Sequence, residues 1–387
     1  MPDKRITFVV NNAAFFVSHR LPLAKGALAA GFAVDLITGQ AGSVSMERSA
    51  EAELVASGIP HHRVAFRSGG VNPLIELLGL LQLIGGVVRR SPDLVHCASP
   101  KGVLYGGLAA RLCRVRALVL AVSGMGYAFT PAEKSGVFRA ALRQAFRICA
   151  RAAFGHPNVR VIVQNTDDLE AIVASGLATA DKIVLIPGSG VRLTDFVAMP
   201  IHVKQQTVLF PARMLRDKGV DEFVRAAREL KKIVPEWRFV LAGAADYQNP
   251  SSVTPEQIGR WQAEGVVEWL GHVEKVDALY AEASIVCLPS YREGMPKVLL
   301  EAAAAGCAVV TTDSIGCRDA IRPGVTGDLV PISDSQALAD CLLRLINDKA
   351  RRERYGQAGR QLAIDRFGVE SVVEKTLGIY RVLLENG

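Results

Sequence analysis

The chain alternates short apolar runs with longer stretches of helical character, and it does so in two successive series. Short continuous apolar runs separated by helices are typical of parallel strands that are buried on both faces of a sheet. The sequence therefore predicts an α/β fold with two doubly wound parallel sheets. The first series of predicted strands covers 6–10, 33–38, 94–97, 118–122, 159–163 and 183–186. The second covers 207–210, 238–242, 267–270, 285–288 and 308–312.

A segment punctuated by glycine and proline separates the two series. Residues 187–191 read Pro-Gly-Ser-Gly-Val, and a polar stretch follows, as is typical of a linker. Doubly wound sheets bind ligands at the carboxyl ends of their strands, so we expect a ligand in a cleft between two domains. The predicted parts are an N-terminal domain over 1–190, a linker over 191–205, a C-terminal domain over 206–366 and a last helical segment over 367–387, which could pack back on the N-terminal domain.

Composition limits the class of protein. The chain has 387 residues, half of them hydrophobic, which is enough for two cores. Its seven cysteines show no C-x-x-C spacing, so neither a disulfide framework nor a zinc site is indicated. The N-terminus lacks a signal-peptide pattern, and the longest apolar segment, 74–88, is shorter than the ~20 residues that span a bilayer. We therefore expect a cytoplasmic protein that is soluble or peripheral to a membrane.

The positive charge lies in the N-terminal half. Through residue 190 there are 20 basic and 12 acidic residues, whereas from 191 onward there are 25 basic and 26 acidic residues. A basic half indicates an anionic partner, which could be a nucleic acid, a membrane surface or a phosphorylated substrate. The chain has no aromatic-interleaved basic surface and no known nucleic-acid-binding motif, so we expect no nucleic acid.

The segment 293–301, Glu-Gly-Met-Pro-Lys-Val-Leu-Leu-Glu, carries two carboxylates around a predicted helix start. Pro296 suits a first helical turn and Gly306 suits the end of the helix. The free N–H groups of such a helix start can bind an anion. Glu293 and the apolar-flanked Glu301 could accept hydrogen bonds from sugar hydroxyls, although an ordinary ion-paired role is the alternative. The combination indicates a bound nucleotide-sugar.

A second group of candidates follows the first strand of the second series. Arg213 and Lys218 lie in the loop after 207–210. A guanidinium pairs bidentately with phosphate and an ammonium adds a point charge, so the two could hold a diphosphate. Solvated surface residues are the alternative.

The N-terminal half offers weaker candidates. No G-x-G-x-x-G follows its first strand, so the dinucleotide fingerprint is missing. His19 and Arg20 lie where a ligand could be contacted, or else Ser18 caps a helix there. His96 ends another predicted strand and could be a core residue instead. The further candidates for acceptor binding are Ser18, Lys101, Ser123 and Gly124.

A basic stripe recurs on one predicted helix. Its members are spaced four residues apart and thus share a face, and no acidic residue occurs between 135 and 163. Such a helix suits an anionic membrane surface, whereas a solvated face is the alternative. The stripe consists of Arg139, Arg143, Arg147 and Arg151.

These motifs resemble glycosyltransferase family 4, whose members are retaining enzymes of the GT-B fold, with two Rossmann-like domains facing a cleft. The resemblance rests on Ser-Tyr-Arg-Glu-Gly-Met-Pro at 290–296 with Glu301, on Gly-Val-Thr-Gly at 324–327, and on Arg213 with Lys218. Phe-Phe-Val-Ser-His-Arg-Leu-Pro at 15–22 and Ser-Gly-Met-Gly-Tyr at 123–127 resemble a narrower set. That set comprises bacterial enzymes that extend polyprenyl-diphosphate-linked sugars for O-antigen, capsule or glycoprotein glycans.

The resemblance implies a role for each motif. Glu301 would bind the ribose of a UDP-sugar, Glu293 its hexose or N-acetylhexosamine, and Arg213 with Lys218 its diphosphate. No metal or other cofactor would be needed, since the chain has no Asp-x-Asp motif. The acceptor would be a polyprenyl-diphosphate-linked sugar at the cytoplasmic face of the membrane. Further residues expected at the donor are Gly294, Met295, Pro296, Lys297, Val298, Gly271, His272 and Val273.

One departure from the family pattern concerns the acceptor side. Many members carry a histidine where this chain has Ser123, so His19 or His96 is expected to substitute. A soluble acceptor is the main alternative to the lipid-linked one. A nucleotide-sugar epimerase and a nucleic-acid-binding protein are more distant alternatives.

Overall fold

The computed structural model describes residues 4–40, 44–67, 72–124, 137–198, 204–246 and 249–385; within these ranges the side chains of 44–46, 137–143 and 145 are not described. The chain divides into two compact units. The first comprises Met1–Ser189 with Val372–Gly387, and the second comprises Gly190–Ser371.

The first unit is built on a parallel sheet of seven strands in the order β3-β2-β1-β4-β5-β6-β7. Each strand pairs in parallel with its neighbours, and the central strands β4 and β5 are buried along their whole length. The order reverses between β1 and β4, which makes this the switch point of the sheet. The strands are β1 (Arg5–Val10), β2 (Ala33–Gln40), β3 (His61–Arg67), β4 (Leu94–Ala98), β5 (Ala117–Ala121), β6 (Val159–Val163) and β7 (Ile183–Leu185).

Helices cover both faces of the first sheet. One core cluster includes Ala24, Leu54 and strand residues such as Phe8. The other includes Leu83 and Phe154. The helices are α1 (Ala13–His19), α2 (Leu21–Ala29), α3 (Val44–Ala56), α4 (Pro73–Arg90), α5 (Gly107–Leu112), α6 (Val137–Phe154) and α7 (Thr166–Ala174).

The second unit repeats the plan with a parallel sheet of six strands in the order β10-β9-β8-β11-β12-β13. Its switch point lies between β8 and β11. The strands are β8 (Gln205–Phe210), β9 (Arg238–Leu241), β10 (Glu268–Trp269), β11 (Ala283–Leu288), β12 (Ala308–Thr312) and β13 (Gly327–Val330). Its helices are α8 (Val220–Leu230), α9 (Pro255–Ala263), α10 (Asp277–Glu282), α11 (Lys297–Ala304), α12 (Ser335–Asn347) and α13 (Lys349–Leu362).

The last helix, α14 (Val369–Glu385), contributes to the first unit from Val372 onward. Its Tyr380 is fully buried and packs edge-on against Phe32 at a centroid distance of 6.3 Å. The segment expected to be a linker, 191–205, is partly packed as well. Val191 and Phe196 are buried in the core of the second unit, and Val191 pairs with Gly368.

The two doubly wound parallel sheets predicted from the sequence are confirmed, and all the predicted strands are present. Two strands, β3 and β13, were not predicted. Both lie at the edge of their sheet, where fewer side chains are buried. β3 begins with the polar run His61-His62-Arg63, and β13 begins with a glycine, so neither shows the continuous apolar pattern of an inner strand.

Candidate active site

The strongest candidates come together at the switch point of the second sheet. Lys218 lies in the loop that follows β8, and Glu293 lies in the loop that follows β11. Because β8 and β11 are parallel neighbours, these two loops meet at the same edge of the sheet. This edge is where doubly wound domains bind ligands.

Lys218 and Glu293 form an ion pair, with 2.5 Å between Nζ and Oε1. The side chains are 22% and 14% exposed, so the pair is largely shielded yet open to a ligand. The Ser290 hydroxyl donates to the same Glu293 oxygen over 2.8 Å. The ammonium and the carboxylate thus present opposite charges side by side, as recognition of a phosphate and a neighbouring hydroxyl requires.

Hydrogen bonds to main-chain oxygens fix the loops around this pair. The carbonyl oxygen of Asp217 accepts from the Tyr291 N–H over 2.9 Å and from the Ser290 hydroxyl over 3.1 Å. The carbonyl oxygen of Ser290 in turn accepts from the hydroxyl of Thr312, which ends β12, and from that of Ser314 in the following loop. Three consecutive loops at the sheet edge are therefore tied to one another.

Two glycines allow the loops to approach this closely. Gly219 has φ +77°, and a Cβ there would lie 2.1 Å from the Pro289 carbonyl oxygen. Gly316 also has φ +77°, and a Cβ there would lie 2.5 Å from the Glu293 carbonyl oxygen. A larger residue at either position would be strained and would push the Glu293 loop away.

Glu301 lies on α11, which begins directly after Pro296 and is followed by Gly306 in the left-handed conformation, as the sequence indicated. Its carboxylate is buried and accepts from the Tyr280 hydroxyl over 3.0 Å, while Lys297 Nζ lies 3.3 Å from its other oxygen. Burial raises the pKa of Glu301, and the two partners oppose that rise. The side chain is thus held by two of this chain's own groups.

The remaining donor candidates surround this edge on the same unit. Arg213 follows β8 and is 54% exposed, and it pairs with Asp246 over 2.8 Å. Gly271 follows β10, has φ +67° and accepts from the Gly243 N–H over 2.8 Å; His272 beside it is exposed. Met295 and Pro296 are buried, so only their backbone could face a ligand. Gly294, Lys297, Val298 and Val273 are half-buried.

The first unit has a cluster of polar side chains at its own switch point, of which only Lys101 was predicted from the sequence. Asn11 after β1 donates its N–H to the Ser99 hydroxyl over 2.8 Å, and its side-chain oxygen accepts from the N–H groups of Lys101 and Gly102. The Lys101 ammonium pairs with Glu76 of α4 over 2.8 Å. Polar residues that directly follow apolar strands, such as Asn11 and Ser99, were the available signal.

His96 is a correction to the sequence prediction. A catalytic residue must reach the substrate, but the ring lies inside the core of the first unit and is 1% exposed. Its Nδ1 is 2.8 Å from the Tyr380 hydroxyl of α14, and it packs 5.0 Å from the Phe8 ring. Burial holds the pKa of His96 well below its ordinary value. The residue thus has a structural role, because the apolar run before it continues into the core.

Arg20 and Ser18 also differ from expectation. Asn12, not Ser18, caps α1, and Ser18 lies exposed within that helix. Arg20 separates α1 from α2 and is only 6% exposed, so it is not an open binding residue; burial lowers its pKa to about 10. His19 is half-buried and stacks on Phe15 with a centroid distance of 4.7 Å, and its catalytic role stays a prediction.

The last candidates lie beyond β5. Ser123 and Gly124 are half-buried at its carboxyl end, and Gly124 has φ +112°. The rest of that motif, 125–127, lies outside the described residues, as do the side chains of Arg139 and Arg143. Arg147 and Arg151 are exposed on α6.

The described residues were also examined for metal-binding groups and for membrane-spanning helices. Within them, no group of three or more His, Cys, Asp or Glu side chains is placed to hold a metal ion. None of the described helices combines the length and the apolar character needed to cross a bilayer.

Each half of the chain matches a known protein family model. Residues 192–362 match the family model of glycosyl transferases group 1, and residues 5–154 match that of glycosyl transferase 4-like proteins. A Campylobacter jejuni N,N'-diacetylbacillosaminyl-diphospho-undecaprenol alpha-1,3-N-acetylgalactosaminyltransferase is 27% identical over 83% of this chain and 85% of the relative. A Staphylococcus aureus capsular polysaccharide biosynthesis glycosyltransferase, CapM, is 23% identical over 80% of this chain and 82% of the relative.

Among solved structures, Anabaena Alr3699/HepE in complex with UDP and glucose superposes with a TM-score of 0.76. It is 20% identical and matches 98% of this chain and 100% of that chain. A sucrose-phosphate synthase from Thermosynechococcus elongatus also has a TM-score of 0.76, at 19% identity over 99% of this chain and 100% of that chain. At such identities the likeness concerns the fold, which is GT-B.

Proposed function

The chain belongs to the GT-B glycosyltransferases of family 4, and on that premise we propose that it transfers a hexose or N-acetylhexosamine from a UDP-sugar to a polyprenyl-diphosphate-linked sugar, with retention of anomeric configuration. The observation that carries the proposal is the Lys218–Glu293 pair at the switch point of the second sheet, with Glu301 one helix turn beyond the loop.

The donor part follows from the chemistry of these groups. Lys218 and Arg213 supply cations for the diphosphate, and the N–H groups at the start of α11 add a positive dipole end. The buried Glu301 carboxylate would exchange Tyr280 and Lys297 for ribose hydroxyls, and Glu293 would accept from a hydroxyl of the sugar. The complex of HepE with UDP and glucose supports this choice of donor class by fold analogy.

The chemical step that we propose needs no metal. Charge develops on the departing diphosphate as the glycosidic bond breaks, and preorganised cations and amides stabilise that charge. In a front-face reaction the leaving oxygen takes the proton of the acceptor hydroxyl, so the new bond forms on the face from which UDP departs. Lys218, already fixed by Glu293, would contribute one of these positive charges.

The acceptor part rests on the relatives and on charge. The Campylobacter relative is named as acting on a diphospho-undecaprenol sugar, and CapM is named for capsular polysaccharide biosynthesis. The basic excess of the N-terminal half and the exposed Arg147 and Arg151 of α6 suit the anionic cytoplasmic face of a membrane. Acceptor binding would fall to the first unit, near Lys101, Ser123 and Gly124.

A panel of UDP-sugars and synthetic polyprenyl-diphosphate sugars, analysed by mass spectrometry with a parallel assay of UDP release, tests the proposal. We expect one extended lipid-linked product and one UDP released per transfer. Extension of a soluble saccharide alone would favour the soluble-acceptor alternative. An isomerised UDP-sugar without UDP release would indicate an epimerase and would overturn the proposal.

A further inference from the structure

Helix α4 (Pro73–Arg90) carries small residues on much of its buried face and large apolar residues on its exposed side. Its buried face carries Gly79, Gly86, Leu83 and Val87, so two of the four inward positions are glycines. Gly79 is pressed against the Phe66 backbone, where a Cβ would lie 2.5 Å from the nitrogen. Apart from Leu83 and Val87, five large apolar residues of the helix are exposed to solvent. They form what we call the α4 apolar stripe: Leu74, Leu77, Leu78, Leu81 and Val88.

The α4 apolar stripe is too exposed to contribute to the core of the first unit. Its members are between 50% and 79% exposed, and their spacing places them along one side of the helix over four turns. Exposed apolar side chains are common singly, but five of them on one side of a single helix are typical of a surface that a partner covers. Folding of this unit alone does not explain the stripe.

The charges around the α4 apolar stripe indicate what kind of partner covers it. Helices α4, α5 and α6 share one core cluster and therefore cover the same face of the first sheet. Over residues 72–90, 99–124 and 137–154 the only acidic residue is Glu76. Its carboxylate is turned inward, where it pairs with Lys101 and accepts from the Tyr105 hydroxyl. The exposed charges described on this face are all basic: Arg89, Arg111, Arg114, Arg147 and Arg151.

An apolar row beside which every exposed charge described on this face is a cation matches an anionic phospholipid bilayer. Leucines of an interfacial helix enter the boundary of the acyl region while arginines remain at the headgroups. Leu112 of α5 and Ile148 of α6 are each 59% exposed and lie on helices that cover the same face of the sheet. We propose that the α4 apolar stripe inserts into the boundary of an anionic bilayer and that the neighbouring arginines bind its headgroups.

The α4 apolar stripe also lies close to the edge of the first sheet where the acceptor is proposed to bind. The Glu76–Lys101 pair joins the first turn of α4 to the segment that follows β4, at the carboxyl edge of the first sheet. Insertion of Leu74, Leu77 and Leu78 would bring that edge to the bilayer surface. This positional argument rests on the proposed function, since a polyprenyl-diphosphate sugar presents its diphosphate at the bilayer surface. Insertion of the α4 apolar stripe does not depend on the proposed function.

The test is sedimentation with vesicles of roughly 30% phosphatidylglycerol in phosphatidylcholine, which mimic an anionic membrane. The variant Leu77→Gln/Leu81→Gln should lower the partition coefficient by about 100-fold, since each leucine contributes about tenfold. The matched control Leu28→Gln/Val55→Gln changes exposed apolar residues of α2 and α3, which pack on the other face of the sheet, and should stay near wild type. Unchanged vesicle binding by the Leu77/Leu81 variant would overturn the inference.

A second copy of this chain is the rival occupant. If wild type forms a dimer in sedimentation velocity that the Leu77→Gln/Leu81→Gln variant does not form, and vesicles do not bind it, the bilayer assignment is wrong. Transfer to a polyprenyl-diphosphate sugar dispersed in detergent, without vesicles, separates the two proposals. Loss of vesicle binding by the Leu77→Gln/Leu81→Gln variant with retained transfer supports the membrane inference. Absence of transfer by wild type would refute the proposed function, but it would not affect the vesicle-binding result.

Discussion

The two units share a doubly wound plan, but they use their switch points differently. In the second unit, three loops after neighbouring strands are linked through Asp217, Ser290 and Thr312, and they hold Lys218 against Glu293. In the first unit, the corresponding edge is held by Asn11 and Ser99, and two expected site residues, His96 and Arg20, are buried. The first unit instead places its most unusual surface on α4. The contrast suggests that a rigid charged site serves the donor, whereas the acceptor side depends on where the unit sits on a membrane.

The largest expected effect comes from the pair that defines the rigid site. Glu293→Gln keeps the size of the side chain but removes the charge that faces Lys218. We expect kcat/KM for transfer to fall by at least about 100-fold, because charge placement at the reacting diphosphate and sugar is lost. Circular dichroism melting should remain near wild type. Glu264→Gln, which breaks the exposed pair with Arg228, is the matched control, and activity of the Glu293 variant within tenfold of that control would refute the role of Glu293.

Glu301 gives a pH-dependent prediction. Burial raises its folded-state pKa above the ordinary value of 4.5. Between 4.5 and that raised value, the ligand-free folded state binds a proton that the unfolded state does not, so stability falls as the pH rises through this window. UDP affinity should change in the opposite direction, since the carboxylate is the form that accepts from two ribose hydroxyls.

Calorimetric titration with UDP over this pH range checks the prediction. Glu301→Gln should bind UDP about tenfold more weakly near neutral pH, since hydrogen bonds to a charged group are lost. The pH dependence from this group should disappear in the variant. Equal affinity of variant and wild type at every pH would show that Glu301 does not contact the nucleotide.

Ser290 tests whether the links between the loops matter for activity. Ser290→Ala removes the hydroxyl that joins Glu293 to the Asp217 carbonyl oxygen. We expect kcat to fall about tenfold and the free energy of unfolding to fall by about 1 kcal/mol, since the single hydroxyl proton that the two acceptors share is lost. Steady-state kinetics and urea unfolding measure the two effects. Unchanged kcat together with lower stability would mean that the link is structural only.

His96 should show the smallest effect on activity. His96→Asn should leave transfer within about threefold of wild type while lowering stability by about 1–2 kcal/mol, as expected for a buried hydrogen bond to Tyr380. The folded-state pKa of His96 lies well below 6.5, so wild-type stability from this group is lost as the pH falls below 6.5. Urea unfolding at several pH values would reveal this. A large loss of activity with an intact fold would restore the catalytic interpretation.

The sequence predicted the inner strands of both sheets and the donor loops, because buried parallel strands and a Pro-started, Gly-ended helix have strong local patterns. It did not predict β3 or β13, since edge strands carry polar or short sequences. It also misassigned His96, because a histidine at the end of an apolar run looks the same whether it faces the core or a ligand. Only the packing of α14, some 284 residues further along the chain, supplies the Tyr380 partner.

The anomeric configuration of the product tests the central claim most directly. Proton NMR of the lipid-linked product formed from an α-configured UDP-sugar should show an α-linkage, because the sugar would be attacked on the face from which the diphosphate held by Lys218 departs. A β-linked product would contradict the account of the second unit as a front-face donor site.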